Sequence, residues 1–497
     1  MEMKNLPFPV LITFFFLIVL KLIKNLIRKN KSTNPPPGPQ PLPLIGNIHQ
    51  LAGHEPHRRL TELSKTYGPI MRIQLGQVPV AVISSAEIAK QVLKTQESYF
   101  LGRPSLLAAD IMLYNRTDIS FAAYGDYWKQ MKKIAILELF SAKRVQSFKA
   151  IFDDEISNFV AFLDGNSGSS VNLSRKFRSL GNSMIAVASI GKKFDQQEEF
   201  LRVVDNAIRA AGGFSVADAF PSVKLLQMFS KTSSTLHTAH RQVDDILERI
   251  ISEHRAEKKA AVSKTEADNL LDVLLDIQEQ GNLQLPITTD NIKALILDIF
   301  AGASDTTVGS AEWALAELVK NPSTMQKAQE EVRRVFDKKG NIITDEPKYL
   351  KLVIKETLRL HPPVALVPRE CDENFNLGGF DIQRKTKVLV NAWAIGRDSD
   401  SWKDPDRFYP ERFLGNSIDY KGSHFELIPF GAGKRMCPGI VMTQALIEPL
   451  LAKLLYHFDW KLPGDDKPES LDMDDVFGLV VKRRADLVLI PTSFRPN

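Results

Sequence analysis

The 497-residue chain can form one large domain or two or three smaller ones, and 44% hydrophobic with 25% charged residues is the make-up of a folded protein. A net charge of +5, dispersed basic residues and only two cysteines, Cys371 and Cys437, exclude a disulfide or zinc framework and argue against nucleic acid as a partner. A mildly basic face suits a membrane surface or an acidic protein better, and the cysteine usage suits a reducing compartment.

Val10 to Leu20 reads VLITFFFLIVL and, with Leu6, Phe8, Leu22 and Ile23, gives about 18 apolar residues, near the lower limit for a bilayer span. No small-residue cleavage site comes after it. Lys21, Lys24, Arg28, Lys29 and Lys31 do, which predicts a retained anchor over residues 1–29 with the rest of the chain on the cytoplasmic side. Residues 30–47 form a basic, proline-rich hinge around Pro35-Pro36-Pro37-Gly38-Pro39, stiff enough to hold a globular domain off the bilayer. The domain itself is expected over 48–497. Residues 70–84 alternate in polarity and predict a hairpin turning at Gly76-Gln77, and most of the remaining chain has a helical period. Lys258 to Asn269 is polar and charged, an expected exposed loop.

Trp128 and Lys132 are four apart on one helix face, an indole N–H beside a cation. Alone, they read as a core tryptophan next to a solvated lysine. A longer helical pattern runs from about Asp290 to Val319, capped by Thr289 or Asp290 and ended by Asn321-Pro322. Thirty residues would span about 45 Å, enough to cross a domain. Near its middle lie Gly302, Ala303, Ser304, Asp305, Thr306 and Thr307. The small residues let a flat ligand press on the helix, while Asp305 and Thr306 offer an acid and an alcohol for proton transfer. The plainer reading is a packing seam with one polar bend. Glu356 and Arg359 are three apart among apolar residues. If exposed they contribute little; if buried they need a third partner. The three prolines between His361 and Arg369 predict an extended strand, and His361 reads as structural rather than a ligand.

Cys437 lies in Pro429-Phe430-Gly431-Ala432-Gly433-Lys434-Arg435-Met436-Cys437-Pro438-Gly439, just before an apolar helical run from about Val441 to Leu455. A helix N-terminus and a nearby arginine favour a thiolate, and Gly431, Gly433 and Gly439 let backbone approach a large flat group. A single thiolate cannot complete a zinc site and suits an axial haem ligand. A buried structural cysteine is the commoner fate of such a residue. The Gly-Lys pair lacks the spacing of a phosphate loop.

Phe430, Gly433, Arg435, Cys437 and Gly439 match F-x-x-G-x-R-x-C-x-G, and here the chain resembles the cytochrome P450 haem-thiolate proteins. The anchor, the hinge and the wording Pro410-Glu411-Arg412-Phe413 are most similar to plant microsomal (A-type) members of specialised metabolism. The resemblance covers essentially the whole chain. It implies a mainly α fold with a small β-rich lobe, following an N-terminal transmembrane helix. It implies heme b with Cys437 as the iron's axial ligand, and haem contacts from Trp128, Lys132, Arg369, Phe430, Gly433, Arg435 and Gly439. Lys132 departs from the family's usual arginine and loses its bidentate fork, which leaves Trp128 the firmer expectation of the two. The family pattern A-G-x-D-T-[TS] makes Asp305 and Thr306 the catalytic proton relay, with Ala303 where glycine is usual. Glu356, Arg359 and Arg412 become a structural clamp.

The resemblance also places Leu101 to Ser120 and about Ala207 to Leu226 beside substrate, and implies a pocket of Leu295, Ile299, Gly302, Ala303, Val364, Leu366, Phe477 and Leu479. That set is apolar and predicts a lipophilic substrate, a terpenoid first and an indole or other alkaloid second, with Asp298 and Asp305 as the acids for a cationic amine. The implied reaction is monooxygenation with O2. Electrons come from NADPH through a membrane-bound reductase docking on Lys133, Lys434 and Arg435, with cytochrome b5 as a further partner, at the endoplasmic reticulum. Rival readings are a haem-thiolate isomerase or dehydratase, against which the Asp305-Thr306 pair counts, and a membrane-anchored haem sensor or carrier.

Overall fold

The long central pattern folds as a helix over Thr289–Lys320. Its cap is Thr288, one residue earlier than expected: the Thr288 hydroxyl accepts from the Asn291 N–H at 3.2 Å and the Asn291 side chain accepts from the Thr288 N–H at 2.9 Å. Leu173–Ile190 packs closely along this helix, and Ile440–His457 and Lys348–Leu360 pack on it as well. The close approach needs Gly181, where a Cβ would meet the Val308 side chain at 2.7 Å. Asn182, the next residue, hydrogen-bonds Ser304 across the same seam. One large apolar cluster links these helices.

The β-rich lobe is a four-stranded sheet in the order Ile70–Leu75, Val78–Ile83, Lys387–Asn391, Leu366–Glu370. The first two strands are the expected hairpin, pairing Leu75 with Val78 around Gly76-Gln77. Val78–Ile83 runs parallel to Lys387–Asn391, which pairs antiparallel with Leu366–Glu370. The lobe thus joins the start of the chain to its last third. The structure, a computed structural model, describes residues 34–211, 215–224, 230–260, 269–336, 346–464 and 466–495.

The predicted anchor lies outside the described residues, as does most of the predicted loop at 258–269; among the described residues no helix is long and apolar enough to cross a membrane. The described part of the hinge is not a free spacer. The Arg72 N–H donates to the Pro37 carbonyl at 2.8 Å. The Asn47 amide donates to the Pro39 and Gln40 carbonyls and its oxygen accepts from the Gln74 N–H at 2.7 Å. Residues 34–47 are therefore laid along the hairpin and belong to the globular body, which starts well before position 48. A proline-rich segment has few N–H groups of its own, so it offers its carbonyls to a neighbouring strand.

Candidate active site

Cys437 precedes the Ile440–His457 helix, and its N–H donates to the Phe430 carbonyl at 3.0 Å, closing the loop. Its sulfur sits deep in the protein yet open to a cavity of about 310 Å³. Phe430, Gly431, Arg435 and Gly439 line the cavity beside it; Ile299, Gly302, Ala303, Thr306 and Thr307 of the long helix form the opposite wall. A Cβ built on Gly302 would meet nothing within 4 Å, so the helix presents a flat, open face there. Burial raises the Cys437 thiol's pKa, and the Gly439 N–H at 3.4 Å and Lys132 only partly oppose it. The expectation that the loop by itself favours a thiolate is thus corrected. Arg435 does not act on the thiol, donating instead to the Leu101 carbonyl at 3.1 Å and the Ala122 carbonyl at 2.7 Å. A metal bound at this sulfur would supply the deprotonation, as it does for any coordinating thiol.

The cavity's polar edge tests whether a haem fits. Arg103, Lys132, Arg369 and Arg435 all line it. Burial disfavours the charge on each, and the neighbouring cations add to this at Lys132, Arg369 and Arg435. Lys132 is pushed down to about 8. The arginines remain charged, so the shifts register burial first and, for Arg369 and Arg435, the crowding of like charge second. Among the described residues Arg103 Nε and Arg435 Nη1 are buried without a hydrogen-bond partner, and the only side-chain hydrogen bond from Arg369 goes to the adjacent Pro368 carbonyl. Four crowded cations with unused donors call for anions. The two carboxylates of heme b, whose iron would meet Cys437, supply that chemistry.

Trp128 and Lys132 share a face of the Asp126–Ala135 helix as expected, but the order of their fitness reverses. The single Trp128 N–H is committed to the Ile119 carbonyl at 2.8 Å. Lys132 donates to the Lys434 and Met436 carbonyls and keeps a third N–H. Trp128 serves instead as the flat surface beneath Arg435, whose guanidinium carbon is 4.5 Å from the indole centre.

Other expectations need correction. Gly433 does not line the cavity. With φ +72° it lets the loop press on another strand of backbone, where a Cβ would lie 1.9 Å from the Leu93 carbonyl oxygen. Leu295 lies one helical turn before Ile299, fully buried in the core and not in the cavity wall. Arg435 is 6% exposed and unavailable to a protein partner, whereas Lys133 and Lys434 are exposed. Asp298 is not a free acid for a cationic amine: it accepts from the Ile119 and Ser120 N–H groups at 3.2 and 3.1 Å and from the Ser120 hydroxyl at 2.6 Å.

The proposed relay pair is split by the helix. Successive residues point about 100° apart. Thr306 lines the cavity, its hydroxyl donating to the Gly302 carbonyl at 2.7 Å. Asp305 lines a separate polar cleft beside Asp205, Arg178 and Ser304, and is paired with Lys482. Sequence reasoning misses Arg103, whose only signal is a lone cation in the apolar run from Phe100 to Leu107.

Glu356 binds Arg359 through two hydrogen bonds of 2.7 and 2.8 Å and Arg412 at 2.9 Å, with Glu356 and Arg359 both buried. His361 is structural, stacked on Trp313 at 3.9 Å and bonded to Glu317 at 2.7 Å. A second chamber of about 210 Å³ adjoins the first, sharing Leu113, Ala301, Val364 and Leu479 as common wall, with Leu366 and Phe477 farther out. Apart from Leu295, the expected pocket residues line one chamber or both.

The sequence model of the cytochrome P450 family matches residues 36–489. The chain is 52% identical to cytochrome P450 726A27 of Euphorbia lathyris, over 98% of each chain. It is 45% identical to premnaspirodiene oxygenase of Hyoscyamus muticus, over 97% of this chain and 98% of that one. A solved zebra fish cytochrome P450 with abiraterone superposes with TM-score 0.73 at 23% identity, covering 88% of this chain and 100% of the other, a likeness of fold. With the thiol facing a cavity edged by cations, these matches lead to one conclusion: the chain belongs to the cytochrome P450 family, is similar to plant members of it, and is a cytochrome P450 monooxygenase.

Proposed function

We propose that this enzyme hydroxylates, or oxidises further, a lipophilic plant specialised metabolite, a terpenoid before any other class. The observation that carries the reading is the pair of adjoining chambers, with Cys437 in one and an almost wholly hydrocarbon wall in the other. Such a cavity binds by apolar burial and leaves few places for a polar substrate to make its hydrogen bonds. The relative named as an oxygenase of a diene supports the same class. The commitment of Asp298 to the 119–120 loop removes the support for an amine substrate.

When bound, heme b held by Cys437 supplies O2 activation and transfer of one oxygen atom. The protein's part is positioning. Arg103, Lys132, Arg369 and Arg435 would hold the carboxylates of the group. Ile299, Ala303, Val364 and Leu479 keep water from the reacting carbon. Thr306 donates to Gly302, which leaves its oxygen lone pairs free to take a hydrogen bond in the cavity. Asp305 carries protons from the polar cleft once Lys482 releases it. Electrons come from NADPH through a reductase whose acidic face meets Lys133 and Lys434. Exposed Leu137 and Val441 lie near these lysines in the chain and offer an apolar complement. The anchor over residues 1–29 would place the enzyme on the endoplasmic reticulum membrane, its domain in the cytosol, with cytochrome b5 as a second donor.

The test uses microsomes holding this protein and a plant reductase, with an intact carbon-monoxide spectrum. Mono-, sesqui- and diterpenes and indole alkaloids are offered with NADPH. A terpene product one oxygen heavier is expected. An alkaloid product would overturn the substrate class, and no product with no NADPH use would reopen the isomerase and sensor readings.

A further inference from the structure

Among the described residues, one polar side chain lines the outer chamber. Its floor is one face of the four-stranded sheet. Strand alternation places residues 366 and 368 on that face with their partners 391 and 389, and Leu366, Pro368 and Leu389 line the chamber. The same alternation brings residue 387 to this face, where the pattern calls for an apolar side chain. Lys387 stands there, the only charged residue in the chamber wall among the described residues. It is mostly buried, and burial disfavours its charge. Even so, among the described residues its ammonium has no hydrogen bond and no carboxylate within 4.0 Å.

Two acids lie near enough to act on it, and neither takes it. Asp218 is engaged elsewhere, accepting from the Leu107 N–H at 2.8 Å and the Ser215 hydroxyl at 2.6 Å. Glu370 is its cross-strand partner in register but not in contact. Cys437 belongs to the inner chamber and Lys387 to the outer, so the two mark opposite parts of the cavity. A hydrocarbon skeleton in an apolar cavity can slide, and one polar contact far from the reacting end sets its register. The two acids would repel a carboxylate, whereas a hydroxyl or carbonyl oxygen can accept from the ammonium beside them.

We propose that Lys387 is a substrate-recognition residue: it donates to a hydroxyl or carbonyl oxygen that the substrate carries at the end remote from the carbon oxidised at Cys437's side. The substrate is then a terpenoid that an earlier oxidation or hydration has already given an oxygen function. This assignment rests on the terpenoid reading above.

The test uses the full chain in microsomes and matched pairs of terpenes. Each pair shares a skeleton, one member a hydrocarbon and the other bearing a single hydroxyl or ketone. Kd is read from the substrate-induced shift of haem absorption, and product position from mass spectrometry. The oxygenated member of one pair should bind roughly tenfold tighter or more, the range of a hydrogen bond to a charged donor. Lys387→Met should reduce that preference to about twofold and spread the products over more positions, with the carbon-monoxide spectrum unchanged. Lys387→Gln, which keeps a donor, should retain part of it, and Glu370→Gln should keep it whole. The assignment is overturned if Lys387→Met keeps the preference, or if Glu370→Gln abolishes it equally, since the lysine would then serve only to balance Glu370. Equal wild-type binding of both members overturns it too but leaves the terpenoid reading standing. Silence from every pair, with a sound carbon-monoxide spectrum, overturns the terpenoid reading and this assignment together.

Discussion

Replacing Glu356 by Gln keeps the shape of the clamp and removes its charge. The carboxylate accepts from Arg359 at 2.7 and 2.8 Å, from Arg412 at 2.9 Å and from the Tyr409 N–H at 2.8 Å. Arg359 also donates to the Gly396, Pro405 and Arg407 carbonyls, so it cannot swing out to water. The substitution therefore leaves a buried guanidinium without its counter-ion, a change that costs about 3–5 kcal/mol. With an unfolding entropy of about 2.1 cal/mol/K per residue, a domain of this size has roughly 1 kcal/mol/K, so the melting midpoint should fall by about 3–5 °C. The exposed Lys129–Asp126 pair, equally short at 2.9 Å, is the control. Its loss should leave the melt nearly unchanged, because solvent screens an exposed pair. The assay is a thermal melt of the haem-loaded protein together with its carbon-monoxide spectrum. A Glu356→Gln protein that melts within about 1 °C of the parent, with an unchanged spectrum, would refute the clamp argument.

Four further outcomes are expected. Cys437→Ser should abolish the thiolate carbon-monoxide spectrum while circular dichroism shows a folded protein, since the side chain faces a cavity rather than the core. Gly433→Ala should lower the yield of haem-loaded protein several-fold, because the Cβ would lie 1.9 Å from a backbone oxygen at φ +72°. Asp305→Asn should slow turnover by about 100-fold while leaving the spectral Kd for substrate unchanged, as the acid lies outside both chambers; equal changes in both would count against a relay. Asp118 is pushed up to about 7, chiefly by burial and then by Asp298. A carboxyl raised in the folded state stabilises most below its unfolded value near 3.8, and that stability is lost as pH rises towards 7. Asp118→Asn should flatten the stability curve across that window, as denaturant titrations at several pH values would show.

Some of the site could be read from the chain directly. The cysteine loop, the small-residue stretch of the long helix and the Glu356–Arg359 pair each lie within a dozen residues, so local spacing and helical period are enough to expose them. The first strands of the sheet were equally plain, because alternation and a turn at Gly76-Gln77 are local signals.

What the chain could not show is which neighbour each residue meets. Helical period brings Leu295 and Gly302 to similar faces, but only the packing of other helices decides where the cavity stops. Asp305 and Thr306 are adjacent in sequence, and the fold sends one to a polar cleft and the other to the haem cavity. Arg103, Arg369 and Arg435 come from three distant segments, and their shared need for an anion exists only once the fold crowds them together. Lys387 reads as an ordinary strand lysine until the sheet turns it into a hydrocarbon chamber. The sequence by itself determined the family, the loop that carries Cys437 and the helical frame, because these depend on residue type and local spacing. Tertiary structure decided which charges are left unpaired and which face of each element is open, because both depend on contacts between residues far apart in the chain.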